Sequence, residues 1–504
     1  VRKTDLSNEK TREELGLKYV IDRIDVLTPF GKKRVKNLTP YFPGSEGRLV
    51  KELDKLGVIK DLLEKNEDTV SQISGIYMKI KDNSFTLERS SFDVLTVVEL
   101  FEIKAFLLQV ETLIRLYDKM GPLFPDEYNL IDTKELLDIL DPESSRLATF
   151  YIYDSFSEEL AEHRNAKRQL EKKLKKEQKL IKDRIYREYG LQLSPKFDLI
   201  ISRSDRESQE KISGIAELVI GSEDYISITY TLVKNQGQVK IKEEIEELNT
   251  KIEEEELIVR KELTKRVREN SKTITKNMRK IGELDFVIAK AKFSQKYECT
   301  KPEIIQKHII VIKEGRFLPV ENVLDAKGKH YLPITIDLFD GVTCITGANM
   351  GGKTVSMKLV GLHAMLVQYG FFVPCKKCSV GLSSFIHILV GDSQDINRGL
   401  SSFGSEMEEL AQIIKKGKDR SLIMIDEIAS STNPSEGFAL TKSLVEYLCG
   451  KPYISLITTH YENVGNSEGV KGLQVRGLAD ANFEKLSKEL KNAKGNDRID
   501  VIAN

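Results

Sequence analysis

The sequence predicts an α+α/β protein: a helical core and lever domain, long antiparallel coiled-coil arms with a small β-containing tip, and an α/β domain built around a phosphate-binding loop. Three observations predict it. Two highly charged helical stretches carry apolar residues at heptad spacing. Apolar strands alternate with helical patterns from about residue 286 onward. A glycine-rich stretch, GANMGGKT, lies between one such strand and a helix.

At 504 residues the chain has room for about three domains. Lys plus Arg and Asp plus Glu are equal at 78 each, so any basic surface must be regional. Charged residues reach 31% and Trp is absent, which favours long solvated helices over an all-β chain. Five scattered cysteines argue against a disulfide framework and for a reducing, cytoplasmic setting. The absence of a long apolar run predicts no membrane span, and the polar start VRKTDLSNEKTREELG does not read as a signal peptide.

Residues 1–155 form the expected helical core and lever domain. Within it, residues 94–120 (VLTVVELFEIKAFLLQVETLIRLYDKM) are apolar on one face and free of Pro and Gly, so they predict a buried helix. The arms are expected over residues 156–285. Leu160, Leu170, Leu174, Ile181 and Ile185 share one stripe of the outgoing helix; Ile241, Ile245, Leu248 and Ile252 step by four, three and four on the returning one. Residues 167–184 hold nine Lys or Arg against three acids, and 243–256 hold eight Glu against one Lys. Charge pairing across the seam is the favoured explanation of the lysines, with a nucleic-acid surface as the alternative. The tip, residues 190–240, contains three strand-like runs. Within 195–240 it has six basic and seven acidic residues, so it brings no basic excess.

The third domain is expected over 286–475, followed by a polar tail, 476–504, without an evident closing element. VTCIT at 342–346 predicts a buried strand, Gly347–Thr354 the loop, and 355–369 the helix after it. The loop fits G-x-x-x-x-G-K-[ST], in which backbone N–H groups and a helix N-terminus cradle phosphates. Gly347, Ala348, Asn349, Met350, Gly351, Gly352, Lys353 and Thr354 are therefore candidate ATP ligands, with Lys353 reaching the β- and γ-phosphates and Thr354 placing its hydroxyl on Mg²⁺. The apolar run LIMIDE delivers Asp426, a second candidate Mg²⁺ group, and Glu427, a candidate for orienting or deprotonating the attacking water. His460 ends another apolar strand, TTHY, where it could sense a terminal phosphate or be structural. Glu314 and Phe317 are candidates for the base. Ser401 and Ser402, in SSFGSEM, fit an anion site or, on spacing alone, an ordinary helix cap. Cys375 and Cys378 form C-x-x-C with no second ligand pair nearby, and read as two unrelated thiols, with a redox pair as the alternative.

Taken together, TGANMGGKT, GDSQDINRGLSSFGSEM, IMIDEIASSTNPSEGFAL and TTHY resemble, in order and spacing, the MutS family of ABC-type ATPases. LDFVIAKAKF, EGRFLPV and TPFGKKRVKNL resemble stretches entering its ATPase and core regions. GGKTVSMKLVGL and TNPSEG lean toward its recombination-suppressing branch. The resemblance implies a homodimer or heterodimer formed through the ATPase domain. Ser401, Ser402 and Phe403 would complete the partner's ATP site, Thr432, Asn433 and Pro434 would cross between the sites, and the arms would open and close with nucleotide state. It implies mismatched or branched DNA as the partner. An alternative within MutS-like ATPases is reactivation of a cobalamin-dependent aminomutase, a protein client. The chain departs from the family pattern in several places. No mismatch-reading domain is expected within these 504 residues, and Phe156–Glu158 is expected to open a helix instead of forming the wedge. ASST stands at 429–432 where glycines are usual, and the nuclease domain common in that branch is not expected within residues 1–504.

Overall fold

The computed structural model describes residues 5–233, 236–347, 352–390, 402–417, 419–429, 432–465 and 467–475. They fall into two compact units. One draws on residues 1–80, 115–130 and 278–504, the other on 81–114 and 131–277.

The first unit opens with short helices α1 (Glu9–Glu14), α2 (Leu17–Ile21) and α3 (Pro29–Lys36), then α4 (Glu46–Lys65) and α5 (Glu67–Tyr77). Leu49, Leu53, Leu56, Ile59 and Leu63 step by three and four along α4 and are all buried, so a single stripe fixes its orientation. Thr28 caps α3, its hydroxyl accepting from the Gly31 N–H at 2.9 Å. That hydroxyl donates to the buried Asp285 carboxylate at 2.7 Å, which also accepts from the Thr28 N–H at 2.7 Å.

The second unit contains α6 (Ser84–Arg89), most of α7 (Val97–Lys119), α8 (Lys134–Leu140), α9 (Glu158–Tyr189), strand β1 (Asp198–Ser202), α10 (Arg206–Ser213), β2 (Leu218–Glu223), β3 (Ser227–Leu232) and most of α11 (Gln236–Lys296). A serine hydroxyl caps α9 at Ser157, and Gly190, at φ 69°, ends it in the left-handed conformation that glycine adopts without strain. The strands make an antiparallel sheet in the order β1-β3-β2. Ile185, Leu199, Ile201, Ile212, Ile228 and Tyr230 form its core. The expected seam is buried or half-buried throughout: Leu160 and Ile185 on α9, and Ile241 and Ile252 on α11, are buried, and Val259 and Leu263 further along α11 are buried as well.

The charges on these helices depart from expectation. One ion pair joins α9 to α11 among the described residues, Arg164 to Glu256 at 2.6 Å. Lys172, Lys173, Lys175, Lys176 and Lys179 are exposed, and no carboxylate lies within 4.0 Å of any of them among the described residues. Heptad geometry turns these positions outward, so the acidic run on α11 does not meet them. Charge balance read along the sequence missed this because it ignores which way each helix faces.

The rest of the first unit carries β4 (Glu303–Ile305), β5 (Ile309–Gly315), α12 (Leu318–Ala326), β6 (Ile334–Phe339), β7 (Gly341–Thr346), α13 (Lys353–Gln368), β8 (Lys377–Gly381), β9 (Phe385–Val390), α14 (Ser402–Lys416), β10 (Ser421–Asp426), α15 (Pro434–Cys449), β11 (Tyr453–Thr458) and β12 (Val470–Gln474). One sheet is parallel throughout, in the order β12-β7-β11-β10-β9. The other, β4-β8-β5-β6, is mixed. β10 and β11 are buried at every position, as helix-covered parallel strands must be, which is why they read as unbroken apolar runs. β12 corrects an expectation. No strand was read in the last residues of the expected 286–475 domain, yet Val470–Gln474 adds an edge strand beside β7. Its partly exposed side chains left no apolar signal. Residues 476–504, the expected tail, lie outside the described residues. Among the described residues no helix is long and apolar enough to cross a membrane.

Candidate functional site

In the parallel sheet, Asp426 stands opposite Thr458, and Thr458 opposite Ile345. The carboxyl ends of β7, β10 and β11 therefore share one edge, the side on which open parallel sheets bind ligands. Gly347 leaves β7 at φ 134° with Val475 packed 3.4 Å from where a Cβ would stand, and Gly352 enters α13 at φ 90°. Both conformations favour glycine, so the loop's two described glycines are required by its backbone path.

Lys353, the first residue of α13, has its side chain 3% exposed. Its ammonium donates to the Gly347 carbonyl at 2.8 Å and lies 3.3 Å from Glu427 Oε1. Thr354 donates to Asp426 Oδ2 at 2.8 Å. His460 Nε2 meets Glu427 Oε1 at 2.9 Å. Five sequence candidates, Lys353, Thr354, Asp426, Glu427 and His460, thus form one connected group with Gly347. Ala348, Asn349, Met350, Gly351 and Ser401 lie outside the described residues, and Ser402 begins α14.

Two residues that sequence reasoning did not single out hold this group in place. Thr458, fully buried, donates its hydroxyl to Asp426 Oδ1 and accepts from the Glu427 N–H at 3.1 Å. Glu427 adopts φ 46° and Ala429 φ 61°, both left-handed, so the turn after β10 is strained and needs such support. Glu406, buried on α14, accepts from the Ala429 N–H at 3.1 Å. A hydroxyl one strand away was visible in TTHY, but only the register of β10 against β11 gives it this role.

The remaining candidates sit elsewhere. Asn433 caps α15, its side-chain oxygen accepting from the Ser435 N–H at 3.1 Å, and Thr432 donates to Glu436 at 3.1 Å. Glu314 pairs with Lys376 at 2.7 Å, while Phe317 is buried at the start of α12 beside Gly16. Cys375 and Cys378 are not unrelated. A hydrogen bond from Cys378 lowers the Cys375 thiol's pKa despite burial, with His363 and Thr300 adding to it. The same contact, with burial, pushes Cys378 well up. Both are buried, which protects them from reagents, and no cluster with metal-ligand character occurs among the described residues.

Comparison with known proteins follows the same residues. Residues 343–491 match the family model described as MutS domain V. Endonuclease MutS2 of Acetivibrio thermocellus is 28% identical over 476 residues, covering 91% of this chain and 57% of the relative. Endonuclease MutS2 of Caldanaerobacter subterraneus subsp. tengcongensis is 26% identical over 459 residues, covering 86% and 54%. That of Clostridium botulinum is 33% identical over 251 residues, 48% of this chain and 31% of the relative. The chain spans little more than half the length of the first two of these relatives. None of these three names points to an aminomutase, so that alternative draws no support from them. Domain V and the long matches together show that the chain is similar to MutS-family proteins, with the family's domain V at residues 343–491.

Proposed function

We propose that this chain binds and hydrolyses Mg²⁺–ATP at Gly347–Thr354 and uses the cycle to move DNA-binding arms. The observation that carries this reading is the connected group Lys353–Glu427–His460 with Thr354–Asp426. The donor chemistry fits the nucleotide. Thr354 and Asp426 offer hard oxygen ligands 2.8 Å apart, suited to Mg²⁺. Lys353 stands in the loop at the first turn of α13, where backbone N–H groups favour phosphate. Bound Mg²⁺ would neutralise phosphate charge during transfer.

The chain's own residues would do the rest. Lys353 would exchange its contacts with Gly347 and Glu427 for phosphate oxygens. Glu427, released from Lys353, would orient and deprotonate a water, with His460 steadying its carboxylate. Thr458 would hold both acids at fixed positions through the strained turn. In this reading Ser401 and Ser402 complete the site of a second subunit, which makes the working form a dimer, and residues 156–285 act as arms. Domain organisation is proposed as 1–155 core and lever, 156–285 arms with a 190–240 tip, and 286–475 ATPase.

DNA as the partner is supported by the exposed lysines of α9. Unpaired cations at this density suit a phosphate backbone, whose binding is driven by release of counterions. The family's association with mismatched or branched DNA gives the structure to test first. The nucleotide reading is tested by Glu427→Gln. It should bind ATP with near-normal affinity while turnover falls by about 100-fold. Normal turnover in this variant would sink the assignment of Glu427 as base.

A further inference from the structure

At the end of α13 remote from Lys353 lies a second cleft of about 370 Å³ within the first unit. It is walled by the loop between α3 and α4, by α4 and by the last turns of α11. That loop is anchored. The Tyr41 N–H donates to the Gln368 carbonyl at 2.7 Å, and the Gln368 side-chain amide donates to the Tyr41 carbonyl at 2.8 Å. Lys290, 1% exposed at its side chain, reaches the cleft from α11 and donates to Glu52 at 2.8 Å and to the Gly370 carbonyl at 3.1 Å.

The charges here do not balance. Lys290 and Glu52 neutralise one another, but Arg34 and Arg48 also line the cleft. Neither guanidinium has a carboxylate partner among the described residues. Both act electrostatically on Tyr41, as does the Lys290-paired Glu52, and the Tyr41 hydroxyl has no protein hydrogen-bond partner among the described residues. Two unmatched guanidinium forks and a phenol facing one space form a donor set for a tetrahedral oxyanion. Phe286 and Tyr369 add apolar wall, and the volume exceeds what a bare phosphate fills.

We propose that this cleft binds a small phosphate monoester carrying a planar organic group, with Arg34, Arg48 and Tyr41 holding the phosphate and the aromatic walls facing the organic part. The site is separate from the proposed ATP site. The two share α13, whose first residue is Lys353 and whose end is tied to the cleft through Gln368 and Gly370.

AMP serves as the probe, with inorganic phosphate as competitor, in calorimetric titrations of the full chain, of Arg34→Ala/Arg48→Ala and of Lys353→Ala. A binding phase that survives Lys353→Ala, weakens at least about 10-fold in the double arginine variant and is displaced by phosphate is expected. Arg34→Lys/Arg48→Lys should recover part of it, since charge without the fork binds less well. Both arginines are exposed, so an unchanged melting temperature checks the fold. Binding that is unaffected by the arginine variants, or the absence of any AMP binding in Lys353→Ala, would overturn the proposal. Turnover of ATP, measured separately, reports on the Lys353 site whatever happens here.

Discussion

Around β10, Lys353 and Asp426 are enclosed and have fixed partners; along the middle of α9, five lysines are open and, among the described residues, have no carboxylate within 4.0 Å. Lys353 and Asp426 are almost fully buried and tied to Gly347, Glu427, Thr354 and Thr458. Lys172 to Lys179 present five ammonium groups to solvent. The difference separates two ways of using charge. An enclosed group works through geometry, because in a low-dielectric site a small displacement changes its interaction strongly. An open row works through number, because each screened charge adds a similar small increment. Single substitutions should therefore be severe in the first region and graded in the second.

The largest effect is expected for Lys353→Ala. Removing the one ammonium in the loop should lower ATP turnover by at least about 100-fold, measured as phosphate release at saturating Mg²⁺. Turnover within a few-fold of the parent chain would break the claim that geometry rules this region.

Buried charge also occurs in the second unit, where it is structural. Lys104 and Asp141 are both fully enclosed and 2.9 Å apart. Burial alone would raise the Asp141 pKa, but Lys104, the Arg146 N–H and Ser145 outweigh it and hold the carboxyl at about 2. A depressed carboxyl contributes stability above its unfolded value of about 3.9 and loses it as pH falls toward the folded value. Thermal melts should accordingly show stability falling between about pH 4 and 2. Asp141→Ala should cost about 3–5 kcal/mol at neutral pH by leaving Lys104 buried without its charge partner, and should flatten that acid limb. An unchanged limb would mean that other carboxyls set it.

Thr458→Val sharpens the comparison within the enclosed region. The change keeps the shape but removes the hydroxyl shared by Asp426 and the Glu427 N–H. A loss of about 1–3 kcal/mol corresponds to a drop in turnover of about 5- to 150-fold. Thr458→Ser should restore much of it, and the Mg²⁺ requirement should shift upward in the valine variant. A variant that melts normally and turns over normally would leave Thr458 a packing residue.

The sequence made the enclosed region legible and the open one misleading, for one reason. Residues 342–346, 347–354 and 421–427 obey local rules: an unbroken apolar strand, a loop pattern, an acidic strand end. Each can be read within a window of a few residues. Thr458 owes its role to the register between β10 and β11, and β12 pairs with β7 across more than a hundred residues. Neither relation leaves a local trace. The lysines failed differently. Their count suggested neutralisation by the glutamates of 243–256, whereas the helix faces send the two groups apart. Cys375 and Cys378 were likewise read as unrelated, although each shifts the other's pKa.

The smallest effects per residue should come from the open row, and their pattern matters more than their size. Lys172, Lys176 and Lys179 lie three and four apart, on one side of α9. If each neutralises one backbone phosphate, the slope of log affinity against log salt should fall by about 0.9 for each lysine replaced on duplex DNA. The triple alanine variant should then lose about 2.7 from the slope, with single variants spaced evenly between it and the parent chain. Matched, mismatched and branched duplexes should all weaken by the same factor, since backbone contacts carry no sequence information. A single lysine that removes most of the binding would contradict the additive picture, and would place an enclosed, geometry-dependent contact on a surface that the structure leaves open. An unchanged slope in the triple variant would take the DNA contact away from α9 altogether.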